Sequence, residues 1–256
     1  MENNSGLTLS LCKAFDILNC FTAETPQLRV TDLTKRLKMT QSNISRLLGT
    51  MAVYGYVEKD ENTGYYSLGP TIITMSSIAL NSIELRKQAL PELFAMEQNY
   101  GVGANLAILK NNSMYYLAHV DSRSSPRMYT MVGYSNPLHC TAIGKVLLAF
   151  LPEEQAREII KETGLPAYTQ NTVTDEEELF GQLEEIRRTG YSKEWAEHAL
   201  GSACIAAPIR DRSGRVVAGL SASGKFAQHS LMEKEDEVSQ LVIEAANKIS
   251  NKLGCF

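Results

Sequence analysis

Apolar residues recur at helical spacing through the first third of the chain. Leu11, Phe15, Ile17, Leu18 and Phe21 make a stripe across residues 9–21, which Thr25-Pro26 breaks. A short helix fits residues 30–37, with Leu33 and Leu37 four apart. Thr40 is a good N-cap for a third helix over residues 41–54. There Ile44, Leu47, Leu48 and Met51 follow the i, i+3, i+4, i+7 spacing of a buried face, and Gly55 ends the run. Residues 56–59 and 65–68 are β-prone and flank the turn-forming Asp60-Glu61-Asn62-Thr63-Gly64. Three helices followed by a hairpin is the order of a winged helix-turn-helix.

Gly69-Pro70 opens a long helical pattern over residues 71–99, with a kink or division expected at Pro91. Its apolar positions, among them Ile72, Met75, Ile78, Leu85 and Leu93, suit a linker whose stripe meets a second copy of the chain. From Gly101 the pattern changes. Residues 102–109 and 114–120 read as a hairpin around Lys110-Asn111-Asn112, and 128–134 as a further strand. Residues 141–151, 153–162 and 175–189 read as helices. Residues 204–210 and 216–223 flank the turn Asp211-Arg212-Ser213-Gly214, and a helix over 233–253 closes the chain. Strand pairs mixed with helices give an α+β domain with an antiparallel sheet.

The 256 residues are 44% hydrophobic and 21% charged, a globular balance that excludes a disordered chain. Residues 62–83 carry no Asp, Glu, Lys or Arg, but their Asn, Ser, Thr, Gly and Pro oppose membrane insertion. No basic-then-apolar leader opens the chain, and five scattered cysteines without a Cys-x-x-Cys fit reduced thiols in the cytoplasm. Net charge is −4, yet residues 1–70 hold seven basic and seven acidic residues, so the acidity lies beyond them. Between Arg29 and Arg46 five basic residues face Asp32 alone. A solvated helix face would explain that excess; so would a focused polyanion contact.

Helix order decides between them. A recognition helix that turns Ile44, Leu47, Leu48 and Met51 inward leaves Gln41, Ser42, Asn43, Ser45 and Arg46 at its outward, groove-facing start. Gln and Asn pair with adenine edges, Arg with guanine, and Ser with bases or phosphate. Arg29, Lys35, Arg36, Lys38 and the helix start at Thr40 then suit phosphates. Lys59, with Tyr65 and Tyr66, stands on the wing. Double-stranded DNA is the expected partner; a winged helix used for protein contact is the competing use of the same motif.

The segment LRVTDLTKRLKMTQSNISRLLGTMAVYGYVEKDENTGYYSLG resembles the winged helix of the IclR family of bacterial transcriptional regulators. PLHCTAIGKVLLAFLP and GYSKEWAEHALGSACIAAPIRDRSGRVVAGLSASG resemble that family's effector-domain motifs. The resemblance implies a winged helix-turn-helix domain (residues 1–69), a linker helix (70–87) and a GAF-like effector-binding domain (88–256). It also implies a homodimer or homotetramer on a near-palindromic operator, and a small organic acid as effector. The expected role is a repressor of catabolic genes, with no cofactor, no metal and no catalysis. Carried over residue by residue, the effector site comprises Ala142, Ile143, Glu194, Ser202, Cys204, Ser221 and Ser223, with Met128 and Met131 as apolar walls. Glu194 stands where many members have Asp.

Independently of the resemblance, Ser221 and Ser223 alternate along a strand, so both hydroxyls share a side. A helix starting near Thr141 offers free N–H groups to a carboxylate. Together with one acidic side chain these suit a hydroxy- or oxo-acid. The alternative is an enzyme using Cys140, Cys204, His139 and His198 as a thiol–imidazole pair or metal site, although their spacing fits no compact ligand motif.

Overall fold

The computed structural model describes residues 6–123, 130–225 and 231–255. The chain divides into two compact units, Met1–Ser82 and Ile83–Phe256.

In the first unit α1 (Leu9–Leu18), α2 (Val30–Leu37) and α3 (Gln41–Val53) precede a hairpin of β1 (Val57–Lys59) and β2 (Tyr66–Leu68), then α4 (Pro70–Ser82). α1 stops short of Phe21 because Cys20 and Phe21 donate to carbonyls only three residues back, tightening the chain out of the helix. Lys38, in the left-handed region at φ 54°, ends α2 and sets the turn into α3. The Thr40 hydroxyl accepts the Asn43 N–H and starts α3 as expected. Ile17, Leu28, Leu33, Ile44, Leu48, Met51, Val57 and Tyr66 form the core, and Leu47 is half-buried beside it. Leu28 exchanges two backbone hydrogen bonds with Tyr66, tying the wing to the start of α2. Tyr66 is therefore a core residue; of the two wing tyrosines only Tyr65 is available to a partner.

The second unit contains α5 (Glu84–Tyr100), β3 (Gly103–Lys110), β4 (Ser113–Val120), β5 (Ser135–Asn136), α6 (Ala142–Ala149), α7 (Glu153–Thr163) and α8 (Glu176–Thr189). It continues with β6 (Ser192–Trp195), β7 (Ser202–Arg210), β8 (Val216–Lys225) and α9 (Glu235–Lys252). The strands form one antiparallel sheet in the order β5-β4-β3-β8-β7-β6. One face carries Ala104, Leu106, Ala203, Ile205, Leu220 and Ala222 and packs against α5 and α9. The opposite face carries Met114, Ala107 and Ala206 and packs against α6, with α7 and α8 behind it.

Two expectations are corrected. The long helix breaks at Ile83, not at Pro91, which lies inside α5. Ile83 is extended (φ −81°, ψ 106°), and both it and Leu85 pack into the core of the second unit, which draws α5 onto the sheet. Residues 130–134 are a turn rather than a strand: Gly133 takes φ 93°, and Tyr116 bonds with both Gly133 and Tyr134. β6 has no counterpart among the elements expected from sequence. Among the described residues no helix is long and apolar enough to cross a membrane.

Candidate functional site

α3 presents its start as the stripe demands. Ile44, Leu48 and Met51 are buried, whereas Gln41, Ser42, Ser45 and Arg46 are exposed and Asn43 is half-buried. Lys35 and Lys38 are exposed as well. The remaining expected cations are partly committed within the unit. Arg36 Nη1 donates to Cys20 O (3.1 Å) and lies 3.3 Å from Thr25 Oγ1, bracing α2 against the preceding loop. The Arg29 guanidinium lies 4.4 Å from the centre of the Tyr65 ring, and its backbone N–H donates to Asp32. Lys59 pairs with Glu61 at 2.6 Å in solvent, a contact of small net value.

The expected effector residues converge through strand register. Directly opposed residues of an antiparallel pair share a face. Asn105 opposes Ser221, and Ser221 opposes Ala206. One step along, Gly103 opposes Ser223, Ser223 opposes Cys204, and Cys204 opposes Glu194. Ser221, Ser223, Cys204 and Glu194 thus stand on the sheet face that α6 covers. Ala142 and Ile143 begin α6 and are buried; Ala142 O accepts the Ser192 hydroxyl at 2.6 Å. A Cβ on Gly219 would stand 2.6 Å from Ile143 Cγ2, so the missing side chain lets α6 approach β8 closely. Thr141 leaves its helix start without a side-chain cap, and its hydroxyl donates to Pro137 O. Met131 is 46% exposed on the turn, and Met128 lies outside the described residues.

Glu194 is buried, and its Oε1 accepts the N–H groups of Glu197 (2.5 Å) and His198 (3.2 Å). The Ser202 hydroxyl lies 3.3 Å from both carboxylate oxygens and 2.8 Å from Ala199 O, its nearest acceptor. Burial pushes the Glu194 carboxyl above its ordinary range, against the lowering effect of those two amides. Burial also raises the Cys204 thiol well above its ordinary value, with Glu194 adding to the shift. Tyr116 belongs to this neighbourhood: burial, then Cys204, raise its phenol, and its oxygen accepts Asn136 Nδ2 at 3.2 Å.

Sequence reasoning missed four residues here. Asn105 Nδ2 lies 3.2 Å from Ser221 Oγ and 3.4 Å from Ser223 Oγ. Asn105 Oδ1 lies 2.7 Å from His119 Nδ1, whose Nε2 lies 2.9 Å from Asp121 Oδ1. Lys145, only 1% exposed, donates to Glu197 Oε1 (2.5 Å) and Gln182 Oε1 (2.8 Å). The available signals were a lone Asn in the apolar run GANLAILK and a lone Lys in AIGKVLLA. Tyr116 gave none.

Of the residues of the enzyme alternative, His139 and Cys140 are buried. Burial pushes the Cys140 thiol up to about 12. Burial lowers both His139 and His198, and Tyr168 stands between their rings at 6.1 and 5.3 Å. Among the described residues no group of three or more His, Cys, Asp or Glu is placed to hold a metal ion.

Residues 77–251 match the family described as bacterial transcriptional regulator IclR C-terminal, and residues 10–61 match the IclR helix-turn-helix domain. The HTH-type transcriptional regulator KdgR of Dickeya chrysanthemi is 36% identical over 248 residues, 96% of this chain and 80% of that protein. The crystal structure of Thermotoga maritima IclR superposes with a TM-score of 0.82 at 31% identity, over 96% of this chain and 99% of the other. An IclR homologue from Microbacterium hydrocarbonoxydans, crystallised with 4-hydroxybenzoate, gives a TM-score of 0.82 at 26% identity, over 95% and 98%. The outward start of α3, the wing and the sheet-backed second unit are thus those of a DNA-binding regulator, and the chain belongs to the IclR family of bacterial transcriptional regulators.

Proposed function

We propose that the protein is a cytoplasmic repressor of catabolic genes that releases its operator when a small organic acid binds the second unit. One observation carries this reading: two serines, an amide, an acid and a thiol are gathered on one covered sheet face in a transcriptional regulator. Ordinary strand packing needs none of them. Ala142, Ile143, Glu194, Cys204, Ser221 and Ser223 line the site, with Met128 and Met131 proposed as walls and Ser202 acting through Glu194. The uncapped amides of α6 and the serine hydroxyls would receive the carboxylate. The Microbacterium relative's 4-hydroxybenzoate is an acid of this class.

In the first unit Gln41, Ser42, Asn43, Ser45 and Arg46 read bases, while Arg29, Lys35, Arg36, Lys38, Lys59 and the α3 start at Thr40 position the phosphates. α4 exposes Ile73, Met75 and Ile78, and pairing of this stripe would make the homodimer that spans a near-palindrome.

The test combines two measurements. A thermal-shift screen of small carboxylates identifies a binder by its stabilisation of the folded protein. Anisotropy with genomic operator fragments then follows occupancy. The bound acid should weaken operator affinity at least about fivefold, a coupling near 1 kcal/mol. Arg46→Ala and Gln41→Ala should each cost about 1–3 kcal/mol of operator binding. An acid that binds and leaves occupancy unchanged, or variants that bind DNA as before, overturns the reading.

A further inference from the structure

The wing is tied to the start of α2 by one antiparallel bridge. Leu28 N–H donates to Tyr66 O at 3.0 Å, and Tyr66 N–H donates to Leu28 O at 2.9 Å. Both of these side chains turn into the core. In antiparallel pairing the residue after one partner opposes the residue before the other, and successive residues alternate in face. Arg29 is extended (φ −91°, ψ 162°), so it continues the bridge and opposes Tyr65 on its outer side. The two side chains meet there: the Arg29 guanidinium carbon lies 4.4 Å from the centre of the Tyr65 ring. Tyr65 is itself fixed, since its carbonyl accepts the Asp60 N–H at 2.9 Å across the hairpin loop.

The cations Lys59 and Arg29 differ in what holds them. Lys59 stands between Glu58 and Asp60 in the chain and pairs with Glu61 at 2.6 Å, so it must leave a carboxylate before it can meet a phosphate. Arg29 is exposed and rests on a ring; Asp32 takes its backbone N–H instead. A ring face attracts a guanidinium through its quadrupole without neutralising it. It also leaves the in-plane N–H groups free, and those are the groups that meet a phosphate in two parallel bonds. An arginine already held against a ring loses less rotamer freedom on binding than one that moves freely.

We propose that Tyr65 is a positioning residue for DNA binding: its ring holds the Arg29 guanidinium at the base of the wing, ready for a phosphate of the duplex backbone. This rests on the reading of Arg29 as a phosphate contact and adds what orients it.

The test uses the full-length protein and duplexes that the wild type enriches from a random-sequence library. Anisotropy follows binding between about 50 and 200 mM salt. Arg29→Gln removes one phosphate contact and should reduce the slope of log affinity against log salt by about one. Tyr65→Leu keeps an apolar side chain but loses the ring face, and should weaken binding about threefold. Tyr65→Phe keeps the face and should bind as the wild type does. In the Arg29→Gln background Tyr65→Leu should cost nothing, because no guanidinium remains to be held. A wing that misfolds, or a tyrosine that touches DNA itself, would weaken binding in both backgrounds alike. Equal effects of Tyr65→Leu in the two backgrounds therefore overturn the proposal, as does a loss in Tyr65→Phe equal to that in Tyr65→Leu. An unchanged salt slope in Arg29→Gln instead removes Arg29 as a phosphate contact, and the role of Tyr65 with it.

Discussion

Lys145→Met tests whether the second unit is held by a desolvated charge pair. Lys145 sits in the middle of an otherwise apolar helix, and its side chain is 1% exposed; the Glu197 side chain is 10% exposed. Methionine keeps most of the apolar stem, so the substitution removes charge and hydrogen bonds rather than volume. It strands Glu197, whose Oε2 already lacks a partner among the described residues. Breaking a buried pair from one side costs about 3–5 kcal/mol. Lys59→Met is the control: Lys59 meets Glu61 at a similar 2.6 Å, but the side chains are 39% and 78% exposed, so the cost should stay below about 1 kcal/mol. Adding Glu197→Gln to Lys145→Met removes the stranded charge and should restore at least about half of the loss. Trp195, the only tryptophan, lies two residues from Glu197 and reports urea unfolding of this unit by fluorescence. The pH dependence has a definite sign. Burial raises the Glu197 carboxyl above its ordinary 4.5, and Lys145 pulls it back. A raised carboxyl binds its proton more tightly when folded, so this group's contribution to stability is most favourable below 4.5 and falls as pH rises through the folded value. Without Lys145 that fall should steepen and extend to higher pH. If Lys145→Met costs no more than Lys59→Met, the pair is not desolvated and the reasoning fails.

Three further outcomes follow from local geometry. Thr40→Ala removes the acceptor for the Asn43 N–H and should cost about 1 kcal/mol, read as a lower melting temperature of the first unit; an unchanged transition would mean that the cap contributes nothing. Cys140 should resist iodoacetamide at pH 8 in the folded protein and react once it is unfolded in urea, as followed by mass spectrometry; rapid native alkylation of Cys140 would contradict its burial. Gly219→Ala drives a methyl into Ile143 and should cost about 1–3 kcal/mol, with Ile143→Ala partly rescuing it in a double-mutant cycle; strictly additive losses would deny the contact.

The first unit was legible because its determinants are local. The stripe Ile44, Leu48, Met51, the cap at Thr40 and the turn-rich hairpin loop each fix structure within a few residues, and the outward polar cluster of α3 follows from them. What was illegible there was the internal use of charge. Arg36 lies among exposed cations in the sequence, yet it reaches back to Cys20 and Thr25, sixteen and eleven residues away. The break at Ile83 was hidden for a related reason. Proline marks a helix that loses one hydrogen bond, whereas Ile83 leaves the helix because its side chain has a better place in the core beyond it.

The effector face divides along the same line between local and distant pairing. Alternation alone put Ser221 and Ser223 on one side of a strand. Nothing local could say what stood opposite, because β3 pairs with β8 across more than a hundred residues of chain. Asn105 and His119 therefore looked like isolated polar residues in an apolar strand and its hairpin partner. Such a residue carries information for physical reasons. A buried amide costs free energy unless all its groups are paired, so a strand that keeps one among Ala, Leu and Ile has polar partners for it on the neighbouring strands. The same holds for Lys145 among the apolar residues of α6. In this protein the polar exceptions inside apolar runs, rather than the apolar runs themselves, mark where the second unit departs from plain packing: Asn105 meets the two serines, and Lys145 reaches Glu197, whose backbone N–H holds Glu194.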